Sequence, residues 1–173
     1  MTNFHESEEF LGILCFLDAK TPALGDDMRF TAPVLANQIG EFGLPPTYAD
    51  WYEPVTEVKL WNSAIGRTYE CDGEVKTINK ACIIGTNEFG DVVVDVDTGS
   101  VVDLDRSSGQ SQLINTSFAR FLYFVARMKK SFKCRCEDAA SLFAEFARID
   151  LVPMKNNDGI WSVTTFEAEE GMY

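Results

Sequence analysis

Histidine is nearly absent from this chain of 173 residues: His5 is the only one. A serine or cysteine nucleophile usually draws its activation from a neighbouring base, so the lack of histidine argues against that kind of catalysis. Cysteine is present five times, an odd count that does not suit a disulfide framework. Cys134 and Cys136 form a C-x-C, but no second pair stands at zinc-ligand spacing, so neither a metal nor any other cofactor is expected. No apolar run reaches the roughly 18 residues that a membrane helix requires, which speaks against a membrane partner. Glu6, Glu8 and Glu9 stand where a secretory leader would carry positive charge, so a reduced, cytoplasmic protein is the expectation. Basic residues are scarce as well, 15 Lys and Arg against 27 Asp and Glu, for a net charge of -12. That balance disfavours nucleic acid, whose phosphates reward Lys and Arg, and favours a basic partner.

Apolar pattern, by contrast, is plentiful: 46% of residues are hydrophobic, enough for one domain over residues 1–173 with a sizeable core. The centre is Ala81 to Asp105, ACIIGTNEFGDVVVDVDTGSVVDLD, in which β-branched runs alternate with glycine-bearing polar breaks. Such a pattern predicts a three-stranded antiparallel meander. With a period of two, Val92, Val94 and Val96 share one face, and Val93, Asp95 and Asp97 the other, so one face is expected to be buried and the other partly wet. The stretch holds six acids (Glu88, Asp91, Asp95, Asp97, Asp103 and Asp105) and no Lys or Arg.

Phe10 to Leu17 is apolar on nearly every side and reads as a helix or a core strand. Thr31 is the expected N-cap of a helix with Pro33 in its first turn and Gly43 at its end. Glu57 to Trp61 should hold a strand, and Arg67–Cys71 and Val75–Asn79 two more about an Asp72-Gly73 turn. Phe118, Phe121, Leu122, Val125 and Met128 recur at helical spacing and predict the longest helix, with one apolar stripe against the sheet. Its basic end (Arg127, Lys129, Lys130, Lys133, Arg135) suits a helix C-terminus better than a functional patch. A second helix is expected from about Glu137 to Ile149, stopped by Pro153, and the segment after Trp161 fits a short helix or a strand. The fold class is therefore α+β: a twisted, mainly antiparallel sheet packed by helices.

Several chemical motifs fail on inspection. Asp97-Thr98-Gly99 resembles an aspartic-protease loop, but such an enzyme needs two such loops, or one per subunit of a dimer, and a later apolar-apolar-Gly segment, and here the chain turns helical. An ordinary hairpin turn explains the triplet. Asp95-x-Asp97-x-Gly99 lacks the further oxygen ligands of a calcium loop, and Gly85 to Gly90 has Asp91 where a phosphate loop has lysine. The residues alone thus point to a binding protein rather than an enzyme.

The order of short motifs carries more information than any one of them. Phe42-Gly43-Leu44-Pro45 is followed by Ile84-Gly85-Thr86-Asn87 with Gly90-Asp91, and then by Val94-Asp95 with Thr98-Gly99-Ser100-Val101. Asn115-Thr116-Ser117 next leads into Phe118 and Phe121-Leu122, and Trp161 closes the series with Glu167 and Gly171. This progression resembles the SUKH superfamily, with its Smi/Knr-like fold, and is most similar to its group-four immunity branch; the likeness is strongest over residues 31–173. The resemblance implies an antitoxin that binds and neutralises a cognate toxin, often a nuclease or deaminase, in the cell that makes both. A basic toxin suits the acidic meander, whose charge would speed association. The partner-binding candidates are Glu88, Asp91, Asp95, Asp97, Asp103 and Asp105 as charged contacts, with Trp51, Tyr52 and Phe89 as aromatic anchors. Two alternatives stand beside this reading: a regulatory scaffold of the same superfamily, and a small hydrolase using the Asp97 turn.

Overall fold

The computed structural model describes residues 8–48, 51–134, 138–156, 159–161 and 163–164. His5, Cys136, Glu167 and Gly171 lie outside them. The expected meander forms from β7 (Ala81–Thr86), β8 (Gly90–Asp95) and β9 (Val101–Asp105). It is extended on one side by β10 (Ser111–Asn115), and on the other by two short strands laid end to end along β7: β2 (Glu53–Pro54) and β4 (Leu60–Trp61). All pairings in this six-stranded sheet are antiparallel. Outside it, β1 (Ala23–Leu24) pairs in parallel with β3 (Glu57–Val58). A separate hairpin joins β5 (Thr68–Cys71) to β6 (Glu74–Thr77) through Asp72 and Gly73, both at positive φ, as a tight two-residue turn requires.

Helices cover one face of the sheet. They are α1 (Glu8–Leu14), α2 (Met28–Thr31), α3 (Pro33–Phe42), α4 (Phe118–Cys134), α5 (Ala139–Ile149) and α6 (Leu151–Met154). Phe10 to Leu17 is thus helical at its start, with Glu8 and Glu9 in the first turn, where the helix dipole favours acids. Thr31 is not a cap: it ends α2, and Ala32 opens α3 with no side-chain hydrogen bond, leaving Pro33 to preset the first turn. Asp138 does cap α5, accepting from Ser141 N at 2.8 Å. Pro153 does not stop the helical chain outright, because it sits within the extra turn α6. Ile160, Trp161, Val163 and Thr164 are helical, which settles the described part of the closing segment.

The long helix α4 buries more than the one stripe its spacing predicts. Tyr123, Phe124 and Ala126 are enclosed along with Phe118, Phe121, Leu122, Val125 and Met128, because α1 packs against it and Phe146 of α5 stacks on Phe124 with ring centroids 3.9 Å apart. Two residues of its basic end are engaged by neighbours: Arg127 donates twice to Glu145 at 2.8 and 2.7 Å, and the Lys130 ammonium lies 5.4 Å from the Phe16 ring.

The sheet has two cores, one on each face. Val92, Val94, Val101, Cys82, Ile84 and Ile114 meet the helices on the first. Val93, Val102, Leu104, Ala81 and Leu113 meet Tyr69, Ile78 and Ala64 on the second, which the β5–β6 hairpin covers. The partly wet face expected of the meander is therefore closed along β8, where every residue is buried, Asp91 and Asp95 included, while Asp97 beyond the strand is exposed. Alternation in sequence revealed the two faces, but not that a hairpin from earlier in the chain would close over the second. No helix among the described residues is long and apolar enough to cross a membrane.

Candidate functional site

Two turns meet at one end of the meander. In the β7–β8 turn, Asn87 Oδ1 accepts from Phe89 N at 2.9 Å and Gly90 N at 2.7 Å, while Asn87 Nδ2 donates to Asp103 Oδ1 at 3.1 Å. Gly90 is obligatory, since a Cβ there would lie 1.8 Å from Leu104 O. In the β9–β10 turn, the Asp105 carboxylate accepts from the amides and hydroxyls of both Ser107 and Ser108 at 2.6 to 3.1 Å. Arg106 N donates to Phe89 O at 2.9 Å and ties the two turns side by side. The result is a corner on which Phe89 stands 62% exposed, with Glu88 also exposed and Asp103 and Asp105 half-buried.

The two aspartates of this corner titrate in opposite directions. Hydrogen bonds from Ser107 and then Ser108 hold Asp105 far below the usual carboxylate range. Burial pushes Asp103 up; the Asn87 amide offsets part of that effect, and the charges of Asp105 and Asp91 add to it. Asp91 belongs to the same end but is wholly enclosed, where Arg106 grips it through Nε at 2.8 Å and through Nη2.

Phe89, Asp103, Asp105, Gln110, Ser111, Gln112 and Asn156 line a cleft of about 470 Å³. A second cleft of about 420 Å³ adjoins it and shares Ser111, Gln112 and Asn156. Its walls are the hairpin tip, with Glu70, Asp72 and Gly73, and the end of α6, with Val152, Pro153 and Lys155. Lys155 Nζ donates to Asp72 at 2.9 Å and links the two walls. Ser111 Oγ is buried between the clefts and meets no hydrogen-bond partner among the described residues.

The remaining candidates lie elsewhere. Asp95, at the opposite end of the sheet, accepts from Tyr69 OH at 3.0 Å, Thr98 Oγ1 at 2.8 Å and Asp97 N at 3.1 Å. Asp97 is exposed, and Gly99 has the positive φ of a turn, so Asp97-Thr98-Gly99 closes β8 onto β9. Tyr52 is buried, its ring against Gly85 and its hydroxyl donating to Ile84 O. Trp51 packs on Tyr48, Phe121 and Trp161. The structure thus gathers Glu88, Phe89, Asp103 and Asp105 at one surface and encloses Asp91, Asp95 and Tyr52. Sequence reasoning missed Gln110, Ser111, Gln112 and Asn156. Nothing in their residue types marks them; β10 and the end of α6 bring them together only in the fold.

An exposed ring with carboxylates about it and a cleft beside it suits protein docking: an apolar anchor within a charged rim. Among the described residues, no three His, Cys, Asp or Glu side chains converge as metal ligands. The short motifs, by contrast, serve the framework. Trp161 Nε1 donates to Ile114 O and Asn115 Oδ1, both at 3.0 Å, and Asn115 Nδ2 donates to Asp150 at 3.1 Å, joining the closing helix, β10 and α5. A family model described as SUKH-4 immunity protein matches residues 31–168. No curated protein and no solved structure matched the chain.

Proposed function

This chain belongs to the SUKH-4 immunity protein family, and we propose from that premise that it neutralises a basic toxin by docking it on the corner formed by Glu88, Phe89, Asp103 and Asp105. The observation that carries the reading is Phe89, a large apolar ring left 62% exposed by a turn whose hydrogen bonds hold it outward, beside carboxylates and an open cleft. Isolated exposed aromatics are common, but one held by a built turn and set in an acidic rim is the arrangement of an interface anchor. Asp103 fits the same reading, because burial disfavours its charge and an arriving cation would offset that cost. The net charge of -12 steers a basic protein toward the molecule as a whole. A nuclease or deaminase, with a cleft built to hold nucleic acid, supplies such a basic surface.

Neutralisation follows by occlusion: a protein seated on the toxin's basic cleft excludes its substrate, with no chemistry required of the immunity protein. The test is inhibition of the toxin encoded beside this gene, measured for the parent and for the exposed-site variants Phe89→Ala and Glu88→Lys. Phe89→Ala should weaken inhibition by about tenfold to a hundredfold, the range of an interface anchor, and Glu88→Lys should slow association at low salt. Full inhibition by the double variant, with its fold intact, would place the contact elsewhere.

A further inference from the structure

Where α2 meets α3, the surface carries an apolar knob beside a groove. Helix α2 is a single turn that buries Met28 and leaves Phe30 90% exposed, the most exposed of the large hydrophobic side chains among the described residues. Ala32 breaks the helical path, and α3 then buries Leu35, Ala36 and Ile39 while leaving Val34 72% exposed. Scattered exposed apolar side chains are ordinary, but here the chain neighbours of Phe30 and Val34 line a groove of about 460 Å³. Leu24 of β1, Arg29, and Pro33, Ala36, Gly40 and Glu41 of α3 form it. Over Gly40 the groove is open, since a Cβ built there meets no atom within 4 Å.

Charge decides what this face can receive. Its charged lining residues are Arg29 and Glu41, one of each sign, and neither has an ion-pair partner among the described residues. A basic toxin is drawn by an excess of acid, which the groove lacks. Two copies of the chain, each at -12, repel one another wherever their acidic surfaces meet. That repulsion is least where the surface has no net charge. An apolar knob next to an open groove is also self-complementary about a two-fold axis, the geometry of an isologous contact. With Phe30 of one copy over Gly40 of the other, their chain neighbours Arg29 and Glu41 are brought together at both ends of the contact.

We infer that this face binds a second copy of the chain, in a two-fold dimer in which each Phe30 enters the other copy's groove and each Arg29 pairs with the other copy's Glu41. The inference stands apart from the docking reading, which uses no residue of this face. The contact is small, so the dimer is weak, with a Kd of about 10 to 100 µM. Salt acts on it in the opposite sense from toxin docking. Screening removes the repulsion between two acidic copies, to which Asp26 and Asp27, exposed next to Leu24 in the chain, contribute. The apolar contact survives, and the exposed ion pairs lose little because they are worth little.

The test is sedimentation equilibrium of the free protein up to about 500 µM, at about 0.05 M and about 0.5 M salt. The expected result is a reversible dimer at least about threefold tighter at the higher salt. Phe30→Asp changes a side chain that the fold leaves outside, and should weaken the dimer at least about thirtyfold. Gly40→Leu fills the groove with a better helix former, so it should weaken the dimer without lowering the melting temperature. Arg29→Glu and Glu41→Arg should each weaken the dimer alone and form a mixed dimer when combined, because the two-fold then sets opposite charges together at both ends. A parent that stays monomeric at both salts, or a dimer that Phe30→Asp leaves as tight, overturns the proposal. A mixture of the two charge variants no more dimeric than either alone overturns the Arg29–Glu41 pairing. Loss of toxin inhibition by Phe30→Asp, with the parent monomeric, assigns the face to the toxin and overturns the proposal as well.

Discussion

At the scale of single residues, the corner holds one aspartate that burial disfavours and one that hydrogen bonds favour. Asp103 carries a carboxylate whose ionised form the fold disfavours, its pKa being raised above 3.8 by burial. Its contribution to stability is therefore present below pH 3.8 and is lost as the pH rises through the raised value. Asp103→Asn keeps an acceptor for Asn87 and removes the buried charge, so at neutral pH it should raise the melting temperature by about 2 °C. The gain should vanish below pH 3.8, where the parent side chain is already neutral, and toxin binding should weaken. A lower melting temperature at neutral pH would show that the Asp103 charge is stabilised where it sits. Asp105 has the opposite sign: its depressed value means that its contribution is present above pH 3.8 and is lost only as the pH falls far below. Asp150, buried between β10 and α5, accepts from Asn115 Nδ2, Thr116 N and Thr116 Oγ1 at 2.8 to 3.1 Å, and from Arg120 Nη1 at 3.4 Å. Asp150→Ala strips all four donors of their acceptor and should cost about 3 kcal/mol, read as a lower urea midpoint at unchanged slope. A midpoint within error of the parent would mean that water takes over those bonds.

At the scale of elements, local chemistry decided what could be read from the chain. The meander, the Asp72-Gly73 hairpin and the helices at α3, α4 and α5 were legible because strand alternation, turn glycines and helical spacing each act within a few residues. The N-cap of α3 was misread because Thr31 is the right residue type in the wrong place; the preceding turn α2 consumes it and proline does the work of a cap. Burial of Asp91 and Asp95 was not legible, since it depends on Arg106 and on a hairpin that returns across the sheet. Glu88, Phe89, Asp103 and Asp105 of the corner stand out in sequence, because acids and an aromatic in turns are conspicuous there. The β10 and Asn156 side of the cleft does not, because polar residues distant in the chain carry no local mark. Gly90 gives the sharpest check on this level. A methyl group at that position meets Leu104 O at 1.8 Å, so Gly90→Ala must push β8 from β9, at about 3 kcal/mol, and shift Phe89 with them. Stability and toxin binding should fall together, and parental values of both would contradict the close approach.

At the scale of the whole molecule, the sheet holds two cores and encloses Asp91 and Asp95 between them. Helices close one face and a hairpin the other, and α6 packs against the β10 edge. One end is sealed by the Asp95 turn with Tyr69, while the other presents Phe89 and leads along β10. An excess of twelve negative charges adds long-range attraction for any basic protein. Family membership implies a toxin partner in general, and the docking proposed above would seat it on the Phe89 corner. The measurement that bears most directly on the account is calorimetric titration of the toxin encoded beside this gene into the protein at two ionic strengths. The account predicts tight binding that weakens as salt rises, because the encounter is between opposite charges. Absence of binding at either ionic strength, or an affinity indifferent to salt, would contradict it.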